Sequence, residues 1–293
     1  MMIFQKFHRR APGKQAFTLV ELLVALAVLS ILVLILAQVV SLTGQAIDIN
    51  SRKLTAAAQA RSFFDRFAAD FAARPQRPDL SMVFTQDYNN TKNAGIQFWS
   101  GTGGYGANTP RQLSWISYGI GSPKTTTANK TSPAPDCLIR GADAGDWTGA
   151  GTPISFAPLS ALPTTPVPAP DNADVLASGI FRMDFCYLLK DGSLSTTPSA
   201  PTTPPRSAND FSQVAAIVIA VAALDAKSLR LLSNEQVTNL SNDLPATPPA
   251  LHTADPLAYW SSDTVMGAQG FGPGIPRQVI ENVRLYQRIF YVP

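Results

Sequence analysis

Residues 17–40 read FTLVELLVALAVLSILVLILAQVV, and only Thr18, Glu21, Ser30 and Gln38 interrupt the apolar run. As an α-helix rising about 1.5 Å per residue, the stretch spans roughly 36 Å, enough to cross the hydrocarbon core of a bilayer. Lys6, Arg9, Arg10 and Lys14 precede it with no acid among them, and no base follows until Arg52. Basic residues on one flank keep that flank in the cytoplasm. Residues 1–16 are therefore expected to form a cytoplasmic leader and residues 17–40 the transmembrane half of a helix. Everything beyond would then be extracytoplasmic.

Three readings compete for this segment. A secretory signal cut after the apolar run would find small residues at Gly44 and Ala46, but the run is longer than a usual signal core and holds a carboxylate. A plain membrane anchor accounts for the length and not for Glu21. A carboxylate within the apolar run costs up to about 2.5–3.5 kcal/mol at the centre of a membrane helix, and such a group usually has a partner.

The third reading supplies that partner. The string Lys14-Gln15-Ala16-Phe17-Thr18-Leu19-Val20-Glu21 resembles the processing site of type IV prepilins and pseudopilins. The resemblance implies that a prepilin peptidase cuts between Ala16 and Phe17 and methylates the amino group of Phe17. It also implies that Glu21 faces the N-terminal amine of a neighbouring subunit during assembly. Pairing would offset part of the desolvation cost, whereas an unpaired carboxylate would stay costly. The family usually carries glycine before the cut; here alanine, the next smallest residue, stands at that position, and cleavage is still expected. The implied partners are the peptidase, other pilin or pseudopilin subunits and an inner-membrane assembly platform. The implied destination is a single-pass inner-membrane precursor that passes into a filament.

The helical pattern runs on past the membrane. Ala57, Ala60, Phe64, Phe67, Ala68 and Phe71 share one face at 3.6-residue spacing, and Asp48, Arg52, Gln59, Arg66 and Asp70 share the other. Asp48–Arg52 and Arg66–Asp70 have the i,i+4 spacing of ion pairs. Lys53 intrudes on the apolar side, Gly44 offers a kink, and Pro75 and Pro78 end the pattern. One helix from about residue 17 to 73 is expected, with residues 41–74 as its amphipathic half.

Residues 75–293 read as a β-rich head. Gly95–Ser100, Gln112–Ile120, Ile180–Leu189, Val214–Leu224 and Val283–Val292 are candidate strands. In and just after Ile180–Leu189 the residues Phe181, Met183, Phe185, Tyr187 and Leu189 are expected on one face, with Arg182, Asp184, Cys186 and Lys190 on the other. Asp191-Gly192 marks a tight turn, and Val214–Leu224, apolar on both faces, reads as a central strand. Residues 227–244 look locally helical. Most of the 24 prolines fall into Thr/Pro/Ser-rich loops at 122–135, 163–171, 196–205 and 245–250, because proline cannot donate to a sheet ladder. The expected fold is α+β: a long N-terminal helix packed on a mainly antiparallel sheet. Phe181–Leu194 and Val283–Arg288 resemble the heads of minor pseudopilins of type II secretion, and more closely those of the large prepilin-like Verru_Chthon cassette proteins.

Signs of catalysis are sparse. Gly101–Gly106 lacks the Gly-Lys-Ser/Thr of a phosphate loop, and neither a Gly-x-Ser-x-Gly elbow nor HExxH occurs. His8 falls in the leader and His252 in a Pro-rich stretch. Asp136, Asp143 and Asp146 do not have EF-hand spacing, and the Asn-x-Ser/Thr tripeptides at Asn89, Asn129 and Asn239 carry little weight. No cofactor or metal is expected. Without the four bases of the leader the net charge of +3 becomes −1, which gives no strong electrostatic claim on nucleic acid. Cys137 and Cys186 would face an oxidising compartment, and a disulfide between them is expected. It would close a loop of about 50 residues and add on the order of 4 kcal/mol.

The expected role is thus structural, as a subunit of a type IV pilus or a type II secretion pseudopilus. The rival readings are a minor pilin serving as tip adhesin or DNA-binding module, and an anchored extracytoplasmic enzyme.

Overall fold

The computed structural model describes residues 18–75, 82–86, 93–103, 114–121, 137–144, 174–198, 211–246, 255–268 and 270–292. Its first element, α1, runs unbroken over Leu19–Ala72. Gly44 lies inside it without breaking it, at a cost of roughly 0.5–1 kcal/mol relative to alanine. Contacts divide the chain into Met1–Asn50 and Ser51–Pro293. The second compact unit therefore begins inside the helix.

Nine strands form two antiparallel sheets among the described residues. β1 (Met82–Thr85), β2 (Gly95–Ser100), β3 (Ser114–Gly121), β4 (Cys137–Ala144) and β5 (Asp174–Ala177) are ordered 1-2-3-4-5. β6 (Ile180–Leu189), β7 (Leu194–Ser195), β8 (Val214–Ala223) and β9 (Arg284–Tyr291) are ordered 7-6-8-9. One sheet was the expectation from sequence. Strand alternation tells which residues share a face and not which strands share a ladder, so the division into two sheets was hidden in it. Val214–Ala223 is central, between β6 and β9, as its two apolar faces require. The Asp191-Gly192 turn closes the β6–β7 hairpin with Gly192 at φ +85°, a conformation that costs glycine little.

Four short helices follow β8: α2 (Ala226–Leu229), α3 (Asn234–Asn242), α4 (Pro256–Trp260) and α5 (Arg277–Ile280). Local chemistry starts three of them. Asp225 caps α2 through the amides of Lys227 and Ser228. Ser233 and Gln236 cap α3 reciprocally. Asp255 caps α4 just before Pro256.

Two apolar layers result. Ile217, Ile219 and Val221 of β8 join Met183, Phe185 and Tyr187 of β6 in the core shared with the first sheet and α1. On the other face of the second sheet, Ala220, Ala222 and Leu224 meet Val237, Leu240 and Trp260 of the short helices. Phe181 lies in this second layer, opposite to the face expected for it. A β-bulge explains the reversal. Ile180 pairs with Ala223 and Arg182 with Ala222, so Phe181 is the extra residue and the alternation slips by one.

The head is built around the C-terminal third of α1. Phe63, Phe64, Phe67 and Phe71 are buried. The Phe67 ring lies 4.7 Å from Phe290 of the second sheet and 5.3 Å from Tyr118 of the first, centroid to centroid. Burying one such side chain contributes about 1.5–3 kcal/mol. Lys53 causes no conflict, because it is exposed and burial of the helix begins only at Ala56.

Asp70 corrects the sequence reading: it is fully buried rather than solvated. Its Oδ2 accepts from Tyr118 Oη at 2.5 Å and from Arg140 Nε at 2.7 Å. Arg66 Nε stands 3.5 Å from Oδ1, so the predicted i,i+4 pair is present. The Asp70 carbonyl accepts from Ser100 Oγ at 2.8 Å. Burial, and then the Asp70 charge, pushes the Tyr118 hydroxyl well above its usual pKa and keeps it a donor. Helix period alone gave no sign of this cluster, because its cation and phenol come from strands far away in sequence.

Removing one member of a buried pair leaves the other uncompensated, at a cost of about 3–5 kcal/mol. Arg140→Met is therefore expected to destabilise the head by that amount, read by urea unfolding of the detergent-solubilised chain. The double variant Asp70→Leu/Arg140→Met should recover most of the loss.

Candidate functional site

The site predicted from sequence is the start of α1. Ala16 and Phe17 lie outside the described residues, and Thr18 is the first residue described. Glu21 sits in the first helical turn and closes a reciprocal cap with Thr18. Glu21 Oε2 accepts from the Thr18 amide at 2.9 Å and from Thr18 Oγ1 at 3.0 Å, while the Glu21 amide donates to Thr18 Oγ1 at 3.3 Å. This is a Thr-x-x-Glu capping box, which satisfies orphan donors at a helix start. The Thr18–Glu21 spacing could have revealed it in the sequence. Among the described residues Oε1 of Glu21 takes no hydrogen bond, so the carboxylate caps its own helix with one oxygen and presents the other.

From Leu19 to Asn50 every residue of α1 is exposed. Leu22, Leu23, Leu26, Leu29, Val33 and Leu36 each expose more than half of their surface. Ser30 and Thr43 return their hydroxyls to the carbonyls of Leu26 and Val39, so these two are satisfied within the helix. Among the described residues this is the one helix long and apolar enough to cross a membrane.

Among the described residues the other sequence candidates do not gather into a site. His252, Asp136 and Asp146 lie outside the described residues, and so does the side chain of Asp143. Among the described residues no group of three or more His, Cys, Asp or Glu could hold a metal ion. Cys137 and Cys186 are both buried, and the bridge expected between them is absent. Cys137 opens β4 of the first sheet, its Sγ 3.8 Å from the Gly121 carbonyl. Cys186 lies in β6 of the second sheet, on the face opposite Phe185 and Tyr187, which meet the shared core. Their spacing in sequence carried none of this. Burial, aided by the carboxylates of Asp184 and Asp255, pushes the Cys186 thiol up to about 12.

Fold and site together define an α+β protein, in which a long, apolar N-terminal helix runs into a head of antiparallel sheets. Residues 12–37 match the model of the prokaryotic N-terminal methylation motif, a stretch that takes in Ala16, Phe17, Glu21 and most of the apolar run. A type IV-like pilin from Thermus thermophilus is similar over 80% of this chain and 92% of its own, at 14% identity and a TM-score of 0.31, too loose a likeness to transfer any detail. No curated protein sequence matches the chain.

A thiol held near 12 is almost entirely protonated at pH 8, and only thiolate attacks an alkylating agent. The folded chain is expected to resist iodoacetamide at pH 8. After denaturation without any reductant it should gain two adducts, one for each cysteine. Labelling that appears only after reduction would reveal a bridge.

Proposed function

We propose that this chain is a structural subunit of a filament of the type IV pilus or type II secretion pseudopilus kind. The prepilin peptidase cuts between Ala16 and Phe17 and methylates Phe17. Residues 17–40 hold the precursor in the inner membrane with the leader in the cytoplasm, and the head, built on the end of the same helix, is carried outside. Other pilin or pseudopilin subunits then receive the helix with the help of an inner-membrane assembly platform. The role is mechanical and not catalytic.

The observation that carries this reading is the junction of two features in one element. The methylation motif at residues 12–37 opens a helix whose apolar surface is bare over its whole first part. In water such a surface is unfavourable by about 25 cal/mol per Å² of apolar area. Lipid or neighbouring apolar helices remove that cost.

Glu21 fits the same reading. In the single chain its Oε2 is engaged by Thr18, and a neighbour's amine is able to take Oε1 without breaking the cap. The amine of Phe17 exists only after the cut, so processing creates the partner that makes burial of this carboxylate tolerable. Assembly is thereby made conditional on cleavage.

Co-expression with a prepilin peptidase should shorten the protein by its first 16 residues and leave a mono-methylated Phe17, both read by N-terminal mass spectrometry. An unchanged mass would rule the processing step out. Glu21→Ala is expected to leave membrane insertion intact and to cut incorporation into filaments by roughly tenfold or more, equivalent to about 1.4 kcal/mol of lost pairing. Normal incorporation of the variant would remove Glu21 from the assembly step.

A further inference from the structure

β9 is an edge strand: among the described residues it pairs only with β8. Exposed edges are templates for another strand, and proteins usually blunt them with charge, bulges or cover. This one carries Arg284 and Arg288, yet Ile289 and Tyr291 stand exposed on it, Tyr291 at 72%. Beside the edge, α1 comes to its end. Between the two runs a cleft of about 400 Å³, with Ala68, Phe71 and Arg74 on the helix side and Arg288, Ile289 and Tyr291 on the strand side. All of these residues lie within the compact unit that starts at Ser51.

The backbone of β9 is turned to receive a partner here. The Val292 amide donates to the Ala215 carbonyl, on the β8 side. Amide and carbonyl directions alternate along an antiparallel strand. Ile289 and Tyr291, both of which line the cleft, therefore point their N–H and C=O groups away from β8.

The charges of the cleft are unbalanced. Arg288 already has a countercharge, with Nη1 2.7 Å from Asp65 Oδ1. Arg74 has none among the described residues. Its guanidinium lies 4.3 Å over the Phe71 ring and one nitrogen touches Met82 Sδ at 2.9 Å. Burial pushes its pKa below the usual value, which is the mark of a desolvated cation without an anion. The end of α1 supplies only about half a negative charge. Among the described residues no carboxylate answers Arg74.

We infer that the β9 edge and the cleft beside α1 form a docking site for an extended, acid-bearing segment of a partner protein, which adds as a strand to β9 and places a carboxylate on Arg74. The portion of β9 that lines the cleft, Arg288–Tyr291, matches a docked segment of about four or five residues at about 3.3 Å each. Main-chain bonds to Ile289 and Tyr291 supply affinity and the Arg74 pair supplies selectivity, the division of labour common to strand-addition sites. The inference does not depend on processing or on filament assembly.

The test uses the full chain in detergent micelles and a short alternating Val/Thr peptide carrying one central aspartate, compared with its asparagine twin. The aspartate peptide is expected to bind at least tenfold more tightly than the twin, and Arg74→Gln should abolish that difference. Hydrogen exchange in the unmutated protein should show the Ile289 and Tyr291 amides newly protected on binding. Ile289→Pro removes an outward amide while leaving the β8 ladder its bonds, and should weaken both peptides alike. Equal affinity of the two peptides, or binding without new protection at Ile289 and Tyr291, would overturn the proposal.

Discussion

Phe67 touches rings of both sheets, and through it the last third of α1 becomes the centre of the head. Phe63, Phe64 and Phe71 extend the same contact along the helix. A helix that supplies the core of a domain cannot be detached from it without unfolding the domain. The same helix continues toward its N-terminus as far as Leu19, so the apolar run and the core of the head belong to one element of the chain. This covalent and structural continuity suits a subunit that is handled by its helix.

The head is fitted to the helix by groups that only tertiary contact could bring together. Asp70 ties the helix end to β3 and β4 through Tyr118 and Arg140, and to β2 through Ser100. Gln59, one turn before the aromatic ladder, accepts from the Gly179 amide at 2.8 Å. That position requires glycine for space, since a Cβ there would lie 2.3 Å from the Leu224 carbonyl. These polar ties sit at defined places and fix the rotation and height of the helix within the head, which an aromatic stripe by itself leaves loose. A satisfied buried polar group specifies geometry in this way, at a desolvation cost that its partners offset.

The two ends of the described helix thus carry opposite chemistry. At the start, the Glu21 carboxylate serves its own first turn and keeps one oxygen in reserve. At the finish, Asp70 gives Oδ2 to Tyr118 and Arg140, and Arg74 just beyond it has no anion among the described residues. The first arrangement suits pairing between helices. The second, beside an open strand edge, suits an extended peptide.

The sequence alone determined the parts whose signal is local. The apolar run and its flanking charges defined the N-terminal helix. The aromatic spacing up to Phe71 carried that helix into the head, and alternation placed the cores of β2, β6 and β8 within a residue or so. Asp191-Gly192 announced its own turn. Thr18-x-x-Glu21 was equally legible as a cap, since three-residue spacing at a helix start is all that cap needs. What the tertiary structure decided is everything that depends on which distant segments meet. It set the division of the strands into two sheets, the bulge that turns Phe181 over, the burial of Asp70, and the separation of Cys137 from Cys186. A side chain's period fixes the face it occupies, but the partner waiting on that face is set by chain segments tens of residues away, and no local pattern encodes it.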